Sequence, residues 1–411
     1  MLPYVVQAGD TPLRVAKRFN LNLCSLLAAN PQLPPEGRLQ PGIVLSIPEK
    51  RGRMYSVQAG DSWLKIADRF SCSLQALRTL NPRLDPQRLM LGQLVLLPDS
   101  LSLRIVETRA EYGFRELEED LLAMERQYPF LSKREIGASV MGKPIYAVKL
   151  GEGAKKVHVN AAMHANEWIT TPLLMTFIED VAAAYTHGGK VGGSEIRKLL
   201  QEVSLWCVPL VNPDGVELVQ EGLGPQHERY YELLDWNQGS ERFANWKANI
   251  RGIDLNDQFP AFWEEEVKRR EAGGPGPRDF PGERPLSEPE AIAIARLTNE
   301  ERFDLAVALH TQGKEIYWNY RGYEPVQAEG IAHRMGRRSG FKPVKLKGSD
   351  AGYKDWFIYE FRKPGFTIEL GYGVNPLPLQ DAAAMYDDLK LILLEAMKAA
   401  ADQQPAAIGE S

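Results

Sequence analysis

The sequence predicts an α/β protein whose larger part is a mixed, mostly parallel sheet with helices on both faces. Two small α+β units of βααβ order precede this part. Two observations lead to this prediction. Beyond residue 105, short apolar runs alternate with longer segments of helical periodicity, which is typical of a sheet covered by helices. Before residue 100, one segment of about 50 residues occurs twice.

Length and composition set the limits for the function. The chain has 411 residues, 44% of them hydrophobic and 25% charged, as in ordinary globular proteins. A formal net charge of −5 argues against a nucleic-acid-binding role. No apolar run approaches the roughly 20 residues that span a membrane. The three cysteines have no metal-ligand spacing, and we expect buried free thiols at Cys24, Cys72 and Cys207.

We predict three domains, over residues 1–49, 53–99 and 106–402. The N-terminus has neither a basic region nor a long apolar stretch, so no secretory signal is predicted. We therefore expect a location in the cytoplasm, in a mother cell or spore, or at the cell wall by another export route.

The first two units repeat the same pattern. Residues 4–11, YVVQAGDT, recur as residues 55–62, YSVQAGDS. The agreement extends to an Asn-Pro pair at residues 30–31 and 81–82, and to a proline at the end of each unit. Gly-Asp followed by Thr or Ser predicts a turn and a helix cap. Taken by itself, the duplication is also compatible with a structural spacer.

The elements of the third domain follow in order. Residues 111–122 begin a helix that ends near Tyr128, and a hairpin follows. Strands and helices then alternate. The segments are a hairpin over 133–139 and 144–150, strands over 157–162, 205–211, 303–309 and 364–371, and a helix over 172–185.

Two side chains at the first strand-to-helix corner are candidate metal ligands. His164 and Glu167 are three residues apart, where the strand over 157–162 gives way to a helix. Imidazole nitrogen and carboxylate oxygen are zinc ligands, and a catalytic zinc needs a third protein ligand and an open position. The alternative is a surface corner at which Glu167 caps the helix.

Two later strands carry the remaining candidates. His310 ends an apolar strand, where open α/β sheets place their sites, and it is the candidate third ligand. The alternative is a histidine satisfied by a hydrogen bond in the core. Glu369 is a lone acid on another apolar strand. Burying an unpaired carboxylate costs free energy, so such a residue is expected to have a partner or a function. Glu369 is therefore the candidate general base.

Five separated motifs together resemble the zinc carboxypeptidase family over about residues 106 to 402. In order they are His164-x-x-Glu167, residues 211–215 (VNPDG), residues 252–256 (GIDLN), His310 and residues 366–370 (FTIEL). The resemblance implies one Zn²⁺ held by His164, Glu167 and His310, with Glu369 taking a proton from water. It also implies a cation for the oxyanion. Lys247 stands where the family has an arginine, although it is also compatible with a solvated surface lysine.

Departures from the family pattern concern the substrate. Asn256-Asp257 replaces the Asn-Arg pair that grips a terminal carboxylate, so we expect Asp257 to attract an amine instead. The family's tyrosine above the site is not evident. Lys347 stands near its place, and Tyr353 is a candidate substitute. Asp214 and Asn256 are expected to shape the substrate pocket, unless they only hold turns.

The duplicated units resemble LysM modules, which implies binding to glycans that contain N-acetylglucosamine. Together with the peptidase motifs, the chain is similar to bacterial γ-D-glutamyl-diamino acid endopeptidases, which cut peptidoglycan stem peptides before meso-diaminopimelate or lysine. The sequence does not choose between these two diamino acids. Two alternatives stay open, a zinc carboxypeptidase that removes C-terminal residues and a non-catalytic protein that binds the cell wall.

Overall fold

A computed structural model describes most of the chain. The described residues are 105–402 except 109, together with 2–47 and 54–96 with gaps at 8, 19–25, 28, 35–36, 58–60, 64, 67–80, 82–83 and 86–88. The chain divides into two compact units, Met1–Arg104 and Ile105–Ser411. The predicted module boundary near residues 49–53 and the candidate thiols Cys24 and Cys72 lie outside the described residues, whereas Cys207 is a buried free thiol.

In the first unit, each copy of the repeat has a pair of antiparallel strands. The described elements are β1 (Leu2–Val5), α1 (Pro12–Arg18), β2 (Val44–Ile47), β3 (Met54–Ser56) and β4 (Leu94–Leu96). β1 pairs with β2, and β3 pairs with β4. Small cores form under the strands, one around Val15 and Leu45 and the other around Trp63 and Val95.

The repeated Tyr and Asp contact each other in both copies. The Tyr4 hydroxyl donates to Asp10 Oδ2 at 2.5 Å, and the Tyr55 hydroxyl donates to Asp61 Oδ2 at 2.6 Å. In the first copy, Asn30 pairs its amide with the backbone of Ser46 at 2.7 and 2.8 Å. The repeated residues therefore hold the turns and the closing strand of the fold.

The second unit contains an eight-stranded sheet in the order β13-β12-β14-β11-β7-β10-β6-β5. The pairs β12–β13, β14–β11, β11–β7 and β7–β10 are parallel, and the other three are antiparallel. Its strands are β5 (Ser132–Ala138), β6 (Pro144–Leu150), β7 (Lys155–Asn160), β10 (Val203–Val208), β11 (Leu305–Thr311), β12 (Glu315–Tyr317), β13 (Lys342–Val344) and β14 (Gly365–Leu370). A separate small hairpin comprises β8 (Lys190–Val191) and β9 (Ser194–Glu195).

Helices cover both faces of this sheet. They are α2 (Phe114–Gln127), α3 (Thr170–His187), α4 (Ile196–Glu202), α5 (Pro213–Glu221), α6 (Tyr230–Trp236), α7 (Trp263–Arg270), α8 (Pro289–Glu301), α9 (Gln327–Ser339), α10 (Tyr353–Phe361) and α11 (Ala382–Ala401). Three short 3₁₀ helices span Ala165–Glu167, Leu255–Asp257 and Leu379–Asp381. Within the part of the chain that the structure describes, no helix has the length and apolar character needed to cross a membrane.

The alternation of side chains along the central strands decides which face carries the site. Leu305, Val307 and Leu309 of β11 belong to the core under α3 and α11, whereas Ala306 and Ala308 point to the core that contains α8 and α10. His310 continues this second set. Its neighbour in the parallel register is Glu369 of β14, so the two side chains emerge on the same face. The predicted mixed α/β sheet with helices on both faces is confirmed.

Candidate active site and metal centre

Three buried side chains converge at the carboxyl ends of β7 and β11. His164 Nδ1 lies 3.0 Å from Glu167 Oε1, and His310 Nδ1 lies 3.0 Å from Glu167 Oε2. The two Nδ1 atoms are 3.1 Å apart. Ligand atoms at zinc distance in a tetrahedron are separated by about 3.4 Å, so a small shift would admit the ion. Two imidazoles and one carboxylate are a donor set that suits zinc. The predicted ligands therefore come together and fit the metal.

The corner that presents His164 and Glu167 is held by backbone hydrogen bonds and one hydroxyl. Thr170 Oγ1 accepts from Ala162 N at 2.9 Å and donates to Glu167 O at 2.8 Å. Ala165 N donates to Lys247 O at 3.0 Å. These bonds join the end of β7, the 3₁₀ turn and the start of α3, so both ligands leave a rigid segment.

Asp254 lies behind the metal ligands. Its Oδ1 is 3.3 Å from His164 Nε2, and its Oδ2 is 2.7 Å from Lys247 Nζ. A carboxylate on this side favours a proton on Nε2 and leaves Nδ1 for the metal. Burial opposes ionisation of Asp254, but the charges of Lys247 and His164 lower its pKa well below the usual value. Sequence reasoning did not assign a role to Asp254, although it lies in the 252–256 motif.

Two further residues at this edge were also missed. Asn375 donates to the Thr311 carbonyl at 3.0 Å, and its Nδ2 lies 3.4 Å from Glu167 Oε1. Glu315 of β12 is the antiparallel neighbour of Glu369. Neither residue stands in a recognisable local pattern, and only the fold brings them to the site.

Glu369 is suited to proton transfer near neutral pH. Burial raises its pKa to about 8; the charges of Glu167 and Glu315 act in the same direction, and those of His310 and Lys247 oppose them. A bound divalent cation would lower this value again. A carboxyl group between its ordinary value and about 8 can both accept and return a proton at physiological pH.

The comparisons with known proteins agree with this geometry. The model of the family described as Zinc carboxypeptidase matches residues 117–376, more than half of the chain. This chain belongs to the zinc carboxypeptidase family. The LysM domain model matches residues 4–48 and 55–98.

Two curated relatives cover most of the chain. "Gamma-D-glutamyl-L-diamino acid endopeptidase 1" of Lysinibacillus sphaericus is 40% identical and covers 82% of this chain and 98% of its own. "Uncharacterized protein YqgT" of Bacillus subtilis (strain 168) is 42% identical, covering 79% of this chain and 84% of its own. The crystal structure of thrombin-activatable fibrinolysis inhibitor shares the fold, with a TM-score of 0.58, 18% identity, and coverage of 74% and 79% of the two chains.

In this member of the zinc carboxypeptidase family, Lys247 reaches the site but its ammonium is already ion-paired. Its Nζ pairs with Asp254 at 2.7 Å and lies 3.6 Å from Asp279 Oδ1. Burial disfavours its charged form, but Asp254 and Asp257 raise its pKa above the usual value, so it stays protonated. The alternative of a solvated surface lysine is wrong, because 15% of the side chain is exposed. Its role toward the oxyanion stays a prediction.

Asp257 does not offer a free negative charge. Arg270 of α7 grips it with two contacts, Nη2 to Oδ1 at 2.9 Å and Nε to Oδ2 at 2.8 Å. Burial, with Asp254 beside it, also raises the pKa of Asp257 to about 8, against the opposing charges of Lys247 and Arg270. Either a proton or the guanidinium compensates the carboxylate. The prediction that Asp257 attracts an amine is therefore wrong.

Tyr353 is also misassigned. Its ring is fully buried among Phe259, Trp356 and Phe357, and its hydroxyl lies 3.0 Å from Thr298 Oγ1. A side chain with these neighbours cannot contact a substrate. The predicted substrate-binding role is wrong, because Tyr353 begins α10 with its ring turned into the core.

The predicted substrate-binding roles of Asp214 and Asn256 differ in their outcome. Both Asp214 oxygens are occupied at 2.8 Å, one by Met141 N and the other by Lys143 Nζ. Asp214 therefore braces the β5–β6 turn, and its predicted role in the substrate pocket is wrong. Asn256 accepts from Tyr353 N at 3.1 Å and is partly exposed, so its substrate role stays a prediction.

Proposed function

We propose that this protein is a zinc endopeptidase of peptidoglycan that hydrolyses the stem-peptide bond between γ-D-glutamate and a diamino acid. The observation that carries the proposal is the convergence of His164, Glu167 and His310 beside Glu369. The chain also resembles, along nearly the whole length of that relative, a protein named for this activity.

The chain's own residues divide the chemistry between them. His164, Glu167 and His310 would hold one Zn²⁺, which supplies activation of a water molecule and polarisation of the scissile carbonyl. Glu369 accepts the proton of the attacking water and passes it to the leaving amine nitrogen. Lys247, held beside the site by Asp254, contributes positive charge where the oxyanion develops.

The charges around Arg270 favour an endopeptidase over a carboxypeptidase. Its guanidinium contacts Asp257, Glu266 at 2.8 Å and Asp279 at 3.3 Å. Three carboxyl groups around one cation leave little positive potential for a substrate's terminal carboxylate. A carboxypeptidase needs such a grip, so the local electrostatics support cleavage inside the stem peptide.

The two LysM modules are proposed to hold the glycan strands. Each unit closes its own small core around the repeated Tyr–Asp contact. Two weak binding units on one chain raise the apparent affinity through effective concentration. Binding to the glycan would keep the peptidase near its stem peptides.

A digest of purified muropeptides by the zinc-loaded protein tests the proposal, with products identified by mass spectrometry. We expect an L-Ala-D-Glu fragment and a fragment that begins with the diamino acid. Glu369→Gln should give neither product. Release of only a C-terminal residue would show a carboxypeptidase instead, and no metal-dependent cleavage would favour a non-catalytic wall-binding protein.

A further inference from the structure

The loop after β14 reaches the metal centre. It spans residues 371–376 and follows directly on the strand that carries Glu369. Gly313 N donates to Gly371 O at 2.8 Å, which joins the start of the loop to the segment after β11. Leu377, which follows the loop, is buried in the core of the sheet. The chain is therefore held on both sides of this loop.

The first residue of the loop requires glycine. Gly371 has a φ of +69°, and a Cβ at this position would lie 2.6 Å from Leu377 Cδ1. Residues with a side chain rarely adopt this backbone conformation, and here no space is left for one. The glycine lets the chain turn back over Leu377, and this turn leads Asn375 towards the metal ligands.

Thr311 and Asn375 form a pair joined by two hydrogen bonds. Thr311 Oγ1 donates to Asn375 Oδ1 at 2.7 Å, and Asn375 Nδ2 donates to the Thr311 carbonyl at 3.0 Å. Thr311 follows His310 at the end of β11, whereas Asn375 belongs to the loop. The pair therefore joins the ends of β11 and β14, the two strands that carry the third metal ligand and the proposed base.

The same two residues hold the carboxylate of Glu167, one at each oxygen. Thr311 N donates to Oε2 at 3.3 Å, and Asn375 Nδ2 donates to Oε1 at 3.4 Å. The terminal torsion of a glutamate has a broad, roughly two-fold preference, so the side chain alone does not fix the plane of its carboxylate. Donors at both oxygens restrict this rotation.

The surroundings of Asn375 decide which way its amide points. The Thr311 carbonyl and the ionised carboxylate of Glu167 only accept hydrogen bonds, whereas the Thr311 hydroxyl can also donate. The amide nitrogen therefore faces the two acceptors, and the amide oxygen faces the hydroxyl. Both N–H groups of the amide are used in this orientation, so an aliphatic side chain at this position cannot replace it.

The two donors orient Glu167 without neutralising it. In the part of the chain that the structure describes, the ion-pair contacts of Glu167 are those with His164 and His310. A lysine or arginine in place of the amide would also orient the carboxylate, but it would cancel the negative charge that attracts a metal ion. A backbone N–H and a neutral amide leave that charge for Zn²⁺.

We propose that Asn375 is a positioning residue of the metal centre, which together with Thr311 fixes the carboxylate of Glu167 for Zn²⁺. This role goes beyond the proposed function, because it depends on the metal ligands and not on the substrate. Hydrogen bonds to a ligand typically set its orientation and the metal affinity. The loop thus acts on the metal site although it contributes no ligand.

Zinc affinity of the full-length protein tests this role. Asn375→Leu keeps the approximate size of the side chain but removes both donors. We expect the zinc Kd, measured by competition with a chelator, to rise about 10-fold, because the lost bond to Glu167 is long and its donor neutral. Val374→Ala, at the neighbouring position that is 82% exposed, is the matched control and should keep the wild-type Kd.

Substitutions of Thr311 test the other half of the pair. Thr311→Val removes the hydroxyl that holds Asn375 but keeps the backbone N–H, so we expect a smaller rise in the zinc Kd. Thr311→Ser restores the hydroxyl and should bind zinc like the wild type. If Asn375→Leu does not fold, this pair of variants carries the comparison. Equal zinc affinity in Thr311→Val, Thr311→Ser and the wild type would then overturn the inference.

Thermal unfolding with and without zinc separates positioning from a purely structural role. Zinc raises the Tm of the folded protein by an amount that depends on its Kd. We expect a smaller rise on zinc addition in Asn375→Leu than in the wild type. A Tm that is lowered equally with and without zinc, together with an unchanged Kd, would show that Asn375 only braces the loop and would overturn the inference.

The muropeptide digest keeps this inference distinct from the proposed function. Weaker zinc binding in Asn375→Leu, with no cleavage of the γ-D-glutamyl bond by the wild type, would overturn the proposed function and leave the role of Asn375 standing. Cleavage by the wild type, with equal zinc affinity in Asn375→Leu, would do the reverse.

Discussion

Two neighbouring groups of side chains have similar geometry but different chemistry. His164, Glu167 and His310 bring their ligand atoms within 4.8 Å of one another, and so do Asp254, Asp257 and Asp279. Lys247 and Arg270 fill the second group with positive charge. In the first group no lysine or arginine is paired with Glu167 among the described residues. Potential ligands that lie close together are therefore a candidate metal site only where no lysine or arginine already neutralises their negative charge.

Removing one ligand from the first group should abolish zinc binding, and we expect the largest effect on activity from this change. His310→Ala leaves two protein ligands, so we expect loss of stoichiometric zinc and of all peptidase activity. Zinc content by atomic absorption and hydrolysis of muropeptides measure the two losses. His333→Ala, an exposed histidine of α9, is the control and should keep both. Full zinc occupancy in His310→Ala would show that other residues hold the ion.

Removing the proposed base should separate metal binding from catalysis. Glu369→Gln is expected to lower kcat by about 100- to 10,000-fold, the range for general acid–base catalysis, with zinc retained. The exposed Glu360→Gln is its control.

The pH profile of the wild-type enzyme gives a second test of Glu369. The base acts in its deprotonated form, so activity should fall as the pH decreases through its pKa. Burial raises that pKa to about 8, and the zinc charge lowers it, so the acid limb should lie between about 4.5 and 8. A profile that stays flat down to pH 4 while zinc remains bound would contradict the assignment.

Substitution of Arg270 tests the charge compensation in the second group, because its guanidinium pairs with Asp257. Arg270→Met removes the only ion-pair partner that Asp257 has among the described residues, while Glu266 keeps Arg269, and we expect a loss of about 3 kcal/mol in the free energy of unfolding. The loss should be larger at high pH, because at low pH Asp257 takes up a proton and needs no cation. Urea unfolding at pH 6 and pH 9 measures this difference. The exposed Lys268→Met on the same helix should change little.

Asp254 is a member of the second group and also contacts His164 of the first, and its substitution should give the smallest effect. Asp254→Asn keeps the shape but removes the charge that faces His164 and Lys247. Loss of a carboxylate that contacts a metal-ligating histidine typically weakens metal affinity about 10- to 100-fold. Competition with a chelator measures the zinc dissociation constant, and an unchanged value would show that Asp254 serves Lys247 alone.

The sequence alone was sufficient to predict the mixed sheet with helices on both faces and to name the candidate metal ligands that the structure brings together. Apolar runs of strand length and the helical periodicity of 172–185 are local properties, and they place His164, Glu167, His310 and Glu369 at strand ends. A ligand needs only the right residue type at such an end, because parallel strands bring their carboxyl ends to one edge of the sheet.

Only the tertiary structure decided how the remaining charges are compensated and which side chains are turned inward. Arg270 reaches Asp257 from 13 residues away, and Arg269 reaches Asp350 from 81 residues away. Tyr353 turns into the core, although the next residue, Lys354, lines a cavity on the other side of the helix start. Electrostatic pairing and side-chain direction depend on distances through space, which the spacing of residues along the chain does not record.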